Sequence, residues 1–225
     1  MVLVHGTPDT SGAFAKVLAH LAGLRVITYD RRGYGRSVHL APMFPLAAMV
    51  AAVGLTRAVD AVAATRPMRI AAVALGLGLW EPPTCWVDWW VQSTKDHNVR
   101  LANSADPGAE MEGTLRRMLG NEAWEAMPVA TQQRRRAEGA AYSLDMASIL
   151  EAPFDFADVS VTALVGCGTE TAPEHRYGAA WLCEQLPDAE LYEIEGAGHF
   201  ANRTHPAEFA AFVRAAVARA SGSRR

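Results

Sequence analysis

Residues 2–9 read Val2-Leu3-Val4-His5-Gly6-Thr7-Pro8-Asp9, an apolar β-branched run halted by glycine and proline, and this strand-then-loop pattern decides the fold. Immediately outward, residues 11–23 carry Phe14, Val17, Leu18 and Leu21 on one helical face and end at Gly23. The stretch 24–29 is a second strand, and it runs into Asp30-Arg31-Arg32-Gly33-Tyr34-Gly35-Arg36-Ser37, whose glycines and charges mark a tight exposed loop. Strand, helix and strand within 40 residues make a βαβ unit, and such units build parallel sheets with right-handed crossovers.

Residues 38–80 are alanine-rich with only four charges, Arg57, Asp60, Arg66 and Arg69, so much of this stretch is expected to be buried, ending in a strand at 73–80. The character changes at Glu81: Pro82-Pro83 and Cys85-Trp86-Val87-Asp88-Trp89-Trp90 lead into helical patterns such as Met111, Leu115, Met118 and Leu119. The alternation then resumes, with a strand at 161–165, a helix at 173–186, a strand at 190–194 and a last helix opening at Pro206. The expected architecture is α/β, a mostly parallel sheet with flanking helices. Residues 1–81 and 154–220 form the core, 82–153 a helical insert, and 221–225 a disordered tail.

The 225 residues suit one domain with an insert, and 50% hydrophobic with 20% charged residues is an ordinary globular composition. A net charge of −3 offers no field for phosphate backbones or anionic lipid, so neither nucleic acid nor membrane is an expected partner. Three cysteines, Cys85, Cys167 and Cys183, form no CxxC pair, which argues against zinc and disulfide frameworks and for a cytoplasmic location. The N-terminus has no basic region of a secretory signal, and the apolar runs at 46–53 and 70–80 fall short of the ~20 residues that span a bilayer. The chain begins inside an apparent buried strand, so earlier strands of such a sheet are expected to be missing.

Taken together, Val2-Leu3-Val4-His5-Gly6, then Tyr29-Asp30-Arg31-Arg32-Gly33-Tyr34-Gly35-Arg36-Ser37, then Leu79-Trp80-Glu81-Pro82-Pro83, and finally Gly196-Ala197-Gly198-His199-Phe200 resemble the α/β-hydrolase family. Each piece alone is weak, but four in the family's order and spacing are specific. The resemblance implies the α/β-hydrolase fold with a helical cap at 82–153. It also implies attack on an acyl or similar carbon by a Ser, Cys or Asp nucleophile on a strained strand-to-helix turn, with a histidine base and a carboxylate that orients it.

Carried onto this sequence, His199 matches the base, and a loop histidine without chemistry is its plain alternative. His5 resembles the structural histidine ahead of the oxyanion loop, His205 starts a helix, and the Thr7 backbone N–H matches one oxyanion-hole donor. The acid has two candidates. Most members place an aspartate after the strand at 161–165, where Gly166-Cys167-Gly168-Thr169-Glu170-Thr171 offers threonine instead. Glu170, one position on, would serve with a longer arm. Glu81 would serve as in members with a glutamate after the preceding strand, the haloalkane dehalogenases among them, or would be a solvated loop residue. Trp80, Trp86, Trp89 and Trp90 suit an apolar substrate pocket at the cap entrance, or else the packing of the cap on the core.

The nucleophile is unknown. Residues 38–80 contain no serine and no cysteine, and their sole aspartate, Asp60, lacks the glycines that relieve crowding at an elbow. The 43 residues available also fall short of the ~50 that helix, strand, elbow, helix and strand with their loops would need. The elbow segment is therefore expected to be deleted or replaced, with frameshift as one route. Cys85 reads as a small buried hydrophobe and Ser37 as a structural loop serine. Gly76-Leu77-Gly78 lacks the third glycine of a dinucleotide fingerprint, and no His/Asp/Glu group shows metal-ligand spacing, so no cofactor and no metal are expected. The function implied by resemblance is a hydrolase of small apolar esters or related substrates. The alternative is a non-catalytic pseudoenzyme or degraded homologue that binds a small apolar molecule at most.

Overall fold

Parallel pairing of short strands bears out the α/β architecture. The computed structural model describes residues 1–42, 76–150, 156, 159 and 161–222. Val2–Val4 (β1) pairs in parallel with Ile27–Tyr29 (β2). Gly76–Trp80 (β3), Thr162–Gly168 (β4) and Ala189–Ile194 (β5) form a second parallel sheet in the order β3-β4-β5. The helix expected over 11–23 is shorter: a 3-10 turn at Ser11–Phe14, then one α-helical turn at Ala15–Leu18 (α1). Ser11 and Gly12 are poor helix formers at its start, and Gly23, with φ +85°, turns the chain out. Phe14, Val17 and Leu21 of the expected face are buried, whereas Leu18 is exposed.

In the second sheet β4 is buried along its whole length. Period-two alternation sends its side chains to two different helical layers. Leu164 packs with Ile194, Phe209, Phe212 and Val213 under Pro206–Gly222 (α9), while Ala163, Val165 and Cys167 pack with Ala179 and Leu182 of Pro173–Gln185 (α7). A short helix, Ala201–Thr204 (α8), precedes α9. Residues 221 and 222 of the expected tail belong to α9; 223–225 lie outside the described residues. None of the described helices is long and apolar enough to cross a membrane.

The stretch 82–153 holds Gln92–Ala102 (α2), Pro107–Leu119 (α3), Asn121–Glu125 (α4), Val129–Ala137 (α5) and Gly139–Ser148 (α6). Asp106 caps α3 by accepting a hydrogen bond from the Ala109 N–H at 2.9 Å, and Pro107 sits in the first turn where no N–H is needed. These helices enclose an apolar cluster of their own, with Trp90, Leu101, Met111, Leu115, Trp124 and Met146 at its centre. Tyr34, from the loop after β2, is part of that cluster. Beside it the Arg31 guanidinium donates to both Asp145 carboxylate oxygens, at 3.2 and 2.7 Å, and the Tyr34 hydroxyl donates to Asp145 Oδ2 at 2.5 Å. Buried Glu138 accepts from the Gly35 N–H at 2.9 Å and pairs with Arg135. The loop after β2 is thus held by two carboxylates of the insert.

Candidate active site

Trp80 and Glu81, at the carboxyl end of β3, hold His199 by two different parts. The Trp80 indole N–H donates to the His199 carbonyl at 3.0 Å, while Glu81 Oε2 lies 2.6 Å from His199 Nδ1. Glu81 has φ +40°, a left-handed conformation that costs a non-glycine residue of order 1–3 kcal/mol. The turn takes Glu81 out of the strand and under the next one: its Oε1 accepts from the Gly168 N–H at 2.9 Å, and Oε2 also accepts from the Thr171 hydroxyl at 2.9 Å. Burial alone would raise the Glu81 pKa, but the hydrogen bonds from His199, Gly168 and Thr171 outweigh it and hold the group below the ordinary carboxylate range. An ionised carboxylate therefore faces an imidazole that is 46% exposed.

The loop bearing His199 approaches β4 closely because Gly168 has no side chain. A Cβ there would lie 2.0 Å from the Ala197 carbonyl oxygen. That same oxygen accepts from the Glu170 N–H at 2.9 Å, and the Thr169 hydroxyl accepts from the Gly196 N–H at 2.8 Å. The threonine found where an aspartate was expected thus fastens the loop by its backbone. Of the two acid candidates, Glu81 meets His199. The Glu170 side chain is exposed and has no hydrogen-bond or ion-pair partner among the described residues.

After β1, buried His5 accepts the Arg31 N–H at Nε2 (3.0 Å), and its Nδ1 lies 2.7 Å from the Gly6 carbonyl. Burial and the Arg31 charge push its pKa down to about 4, so it is neutral and structural at neutral pH. The Thr7 hydroxyl bonds with the Tyr34 hydroxyl, and its backbone N–H has no acceptor among the described residues. Arg203, four residues past His199, grips both oxygens of Asp9 at 2.9 and 2.8 Å, which ties the Thr7 loop to the His199 loop.

This geometry coincides with a family assignment. The profile of the alpha/beta hydrolase family matches residues 1–212. The chain belongs to the alpha/beta hydrolase family. Among solved structures, a thermophilic esterase from Thermogutta terrifontis is 20% identical at a TM-score of 0.64, covering 97% of this chain and 89% of its own. The haloalkane dehalogenase DatA from Agrobacterium tumefaciens C58 is 15% identical at 0.61, covering 95% and 88%. The epoxide hydrolase CorEH is 15% identical at 0.65, covering 96% and 90%. At such identities these likenesses establish the alpha/beta hydrolase fold. No curated protein sequence matches the chain.

For an alpha/beta hydrolase the nucleophile belongs between Ser37 and Glu81. Residues 43–75, with Asp60 and the expected deletion, lie outside the described residues, so the absence of serine and cysteine there stands on the sequence. Ser37 closes its loop, its N–H donating to the Tyr34 carbonyl at 2.8 Å. Cys85 is 2% exposed, and burial pushes its thiol up to about 12. We expect Cys85 to resist Ellman's reagent in the native protein and react only on unfolding. Prompt native reaction at Cys85, located by mass spectrometry, would contradict this.

The four tryptophans separate. Trp80 packs edge-on against Phe209 and Phe212 in the layer between β-sheet and α9, and Trp86 lies against the insert's own cluster. Trp90 is buried with its ring edge-on to His175, leaving Trp89, at 45% exposure, facing solvent. A cleft of about 420 Å³ lies between the insert and the Pro8–Ser11 stretch, lined in part by Leu115, Met118 and Met127, with no tryptophan in its wall.

His175, in the first turn of α7, is a residue the sequence pattern did not single out. Its ring stacks on His199, centroids 4.7 Å apart and planes 22° apart. Burial and then the neighbouring His199 hold its pKa below the ordinary histidine range. Its only legible signal is a histidine at the start of the helix that follows the acid loop. Glu81, His175 and His199 each offer a ligand atom, all within 4.8 Å of one another. They are far apart along the chain, so spacing could not reveal the group.

Proposed function

We propose that this alpha/beta hydrolase acts on small apolar esters or related substrates, with His199 as general base and Glu81 as its orienting acid. The observation that carries the reading is the 2.6 Å contact between Glu81 Oε2 and His199 Nδ1. Held there, the Nδ1 proton faces an ionised carboxylate, Nε2 is free to accept a proton, and the imidazolium that forms is stabilised. The Thr7 N–H supplies one donor to the developing oxyanion. The helical insert 82–153 serves as the cap. The structurally similar proteins from Thermogutta terrifontis and Exiguobacterium antarcticum are esterases, which supports the substrate class.

With no serine or cysteine in 38–80 to form an acyl-enzyme, water is the nucleophile. His199 removes a proton from water as the water oxygen attacks the carbonyl carbon, then returns it to the departing alcohol. Without the covalent step, binding and the oxyanion hole supply on the order of 10³–10⁴ over water, and base catalysis by His199 multiplies this on the order of 10²-fold. The same absence favours a second reading, a non-catalytic homologue that retains ligand binding. Hydrolysis of p-nitrophenyl butyrate separates the two. The enzyme reading expects turnover above buffer without an initial burst, falling on the order of 10²-fold in His199→Ala and by a smaller factor in Glu81→Gln. No turnover, together with saturable binding of an apolar ligand, establishes the non-catalytic reading. Turnover indifferent to His199→Ala removes His199 from the mechanism.

A further inference from the structure

We propose that Glu81, His175 and His199 form a binding site for a divalent transition-metal cation of zinc's class, and that an occupied site takes His199 out of proton transfer. Two imidazoles and one carboxylate are the donor set of zinc sites that keep a fourth position open. Their ligand atoms lie within 4.8 Å of one another. Tetrahedral ligands at ~2.1 Å from zinc are ~3.4 Å apart, so closure asks for side-chain shifts of about 1 Å, including some splaying of the stacked rings. Glu81 needs no reorganisation of its surroundings, because the Gly168 N–H and the Thr171 hydroxyl already hold it. An independent observation points to a missing partner: His175 Nδ1 is sealed from solvent and bonds to nothing among the described residues. Entry is open on the side of His199, which is 46% exposed.

Coordination and base catalysis exclude each other here. When the cation takes Glu81 Oε2 and His199 Nδ1, the proton between them moves to Nε2. The Nε2 lone pair, the one that would accept a proton from water, is then occupied. No proton is lost and no electrons move; one hydrogen bond is exchanged for three metal-ligand bonds, the third to His175. The binding itself does not depend on hydrolase activity, whereas the loss of base catalysis rests on the reading of His199 as the base.

Isothermal titration of the EDTA-treated, desalted protein with ZnCl2 tests the site without any substrate. One equivalent of Zn²⁺ should bind, and His175→Gln and His199→Gln should each weaken binding at least tenfold, while exposed His20→Gln leaves it unchanged. Zn²⁺ should raise the melting temperature of the wild type and fail to do so in either site variant. Should His175→Gln not fold, His199→Gln and Glu81→Gln carry the same comparison. Absence of one-to-one binding up to millimolar ZnCl2 overturns the proposal, as does wild-type affinity in the folded site variants. If Zn²⁺ binds in a protein that hydrolyses no ester, the metal site stands and the hydrolase reading falls.

Discussion

Replacing Asp145 with alanine should cost about 3–5 kcal/mol of folding stability, far more than loss of a surface ion pair. Asp145 and Arg31 are each only 2% exposed, and the guanidinium reaches both carboxylate oxygens. Removing the carboxylate leaves a buried cation whose Nε already has no partner among the described residues. The Tyr34 hydroxyl loses its acceptor at the same time. Asp145→Asn, which keeps the shape but not the charge, should fall between wild type and alanine. Urea denaturation followed by tryptophan fluorescence measures all three. A midpoint shift equivalent to less than about 1 kcal/mol for the alanine variant would place the contact among ordinary surface pairs.

Gly168→Ala should be of similar severity and should also dismantle the site. The new methyl would meet the Ala197 carbonyl at 2.0 Å and its carbon at 2.5 Å. Both atoms are backbone, so no rotamer change relieves them. Overpacking a buried position costs ~1–3 kcal/mol, and a collision between main chains belongs at or above the top of that range. The loop displaced is the one that carries His199, and Gly168 itself donates to Glu81. The carboxylate–imidazole pair should therefore loosen even where the protein still folds. Loss of the downfield Nδ1 proton resonance of His199 in the NMR spectrum, alongside a lowered melting temperature, is the expected result. A variant with both unchanged would show that β4 and the His199 loop are not held in this close approach.

What the sequence made legible was local. The first βαβ unit could be read because turn residues bracket each piece, and β4 because an apolar run with no alternation belongs to a strand covered on both faces. His199 stood out as the candidate base by its resemblance to the family's, in a loop between a strand and a helix where Gly196 and Gly198 precede it. Which carboxylate meets it was not legible. Glu170 stands one residue from the expected position, but its side chain points to solvent, whereas Glu81 is brought beneath His199 by a left-handed residue at a strand end. Backbone conformation, not spacing, separates the two. His175 stayed hidden for a related reason, since it meets His199 only once α7 has packed against β4. The tryptophans gave composition without direction: an indole suits a pocket wall and a packed layer equally, and Trp80 took the layer.

Tyr34 belongs by sequence to the loop after β2 but by packing to the interior of the insert. With Arg31 and Gly35 beside it, gripped by Asp145 and Glu138, that loop is as much a part of the insert as its helices are. A chimera that exchanges only 82–153 for the corresponding stretch of another family member would leave three orphaned partners on the core. To transplant the insert intact, residues 30–37 must travel with it.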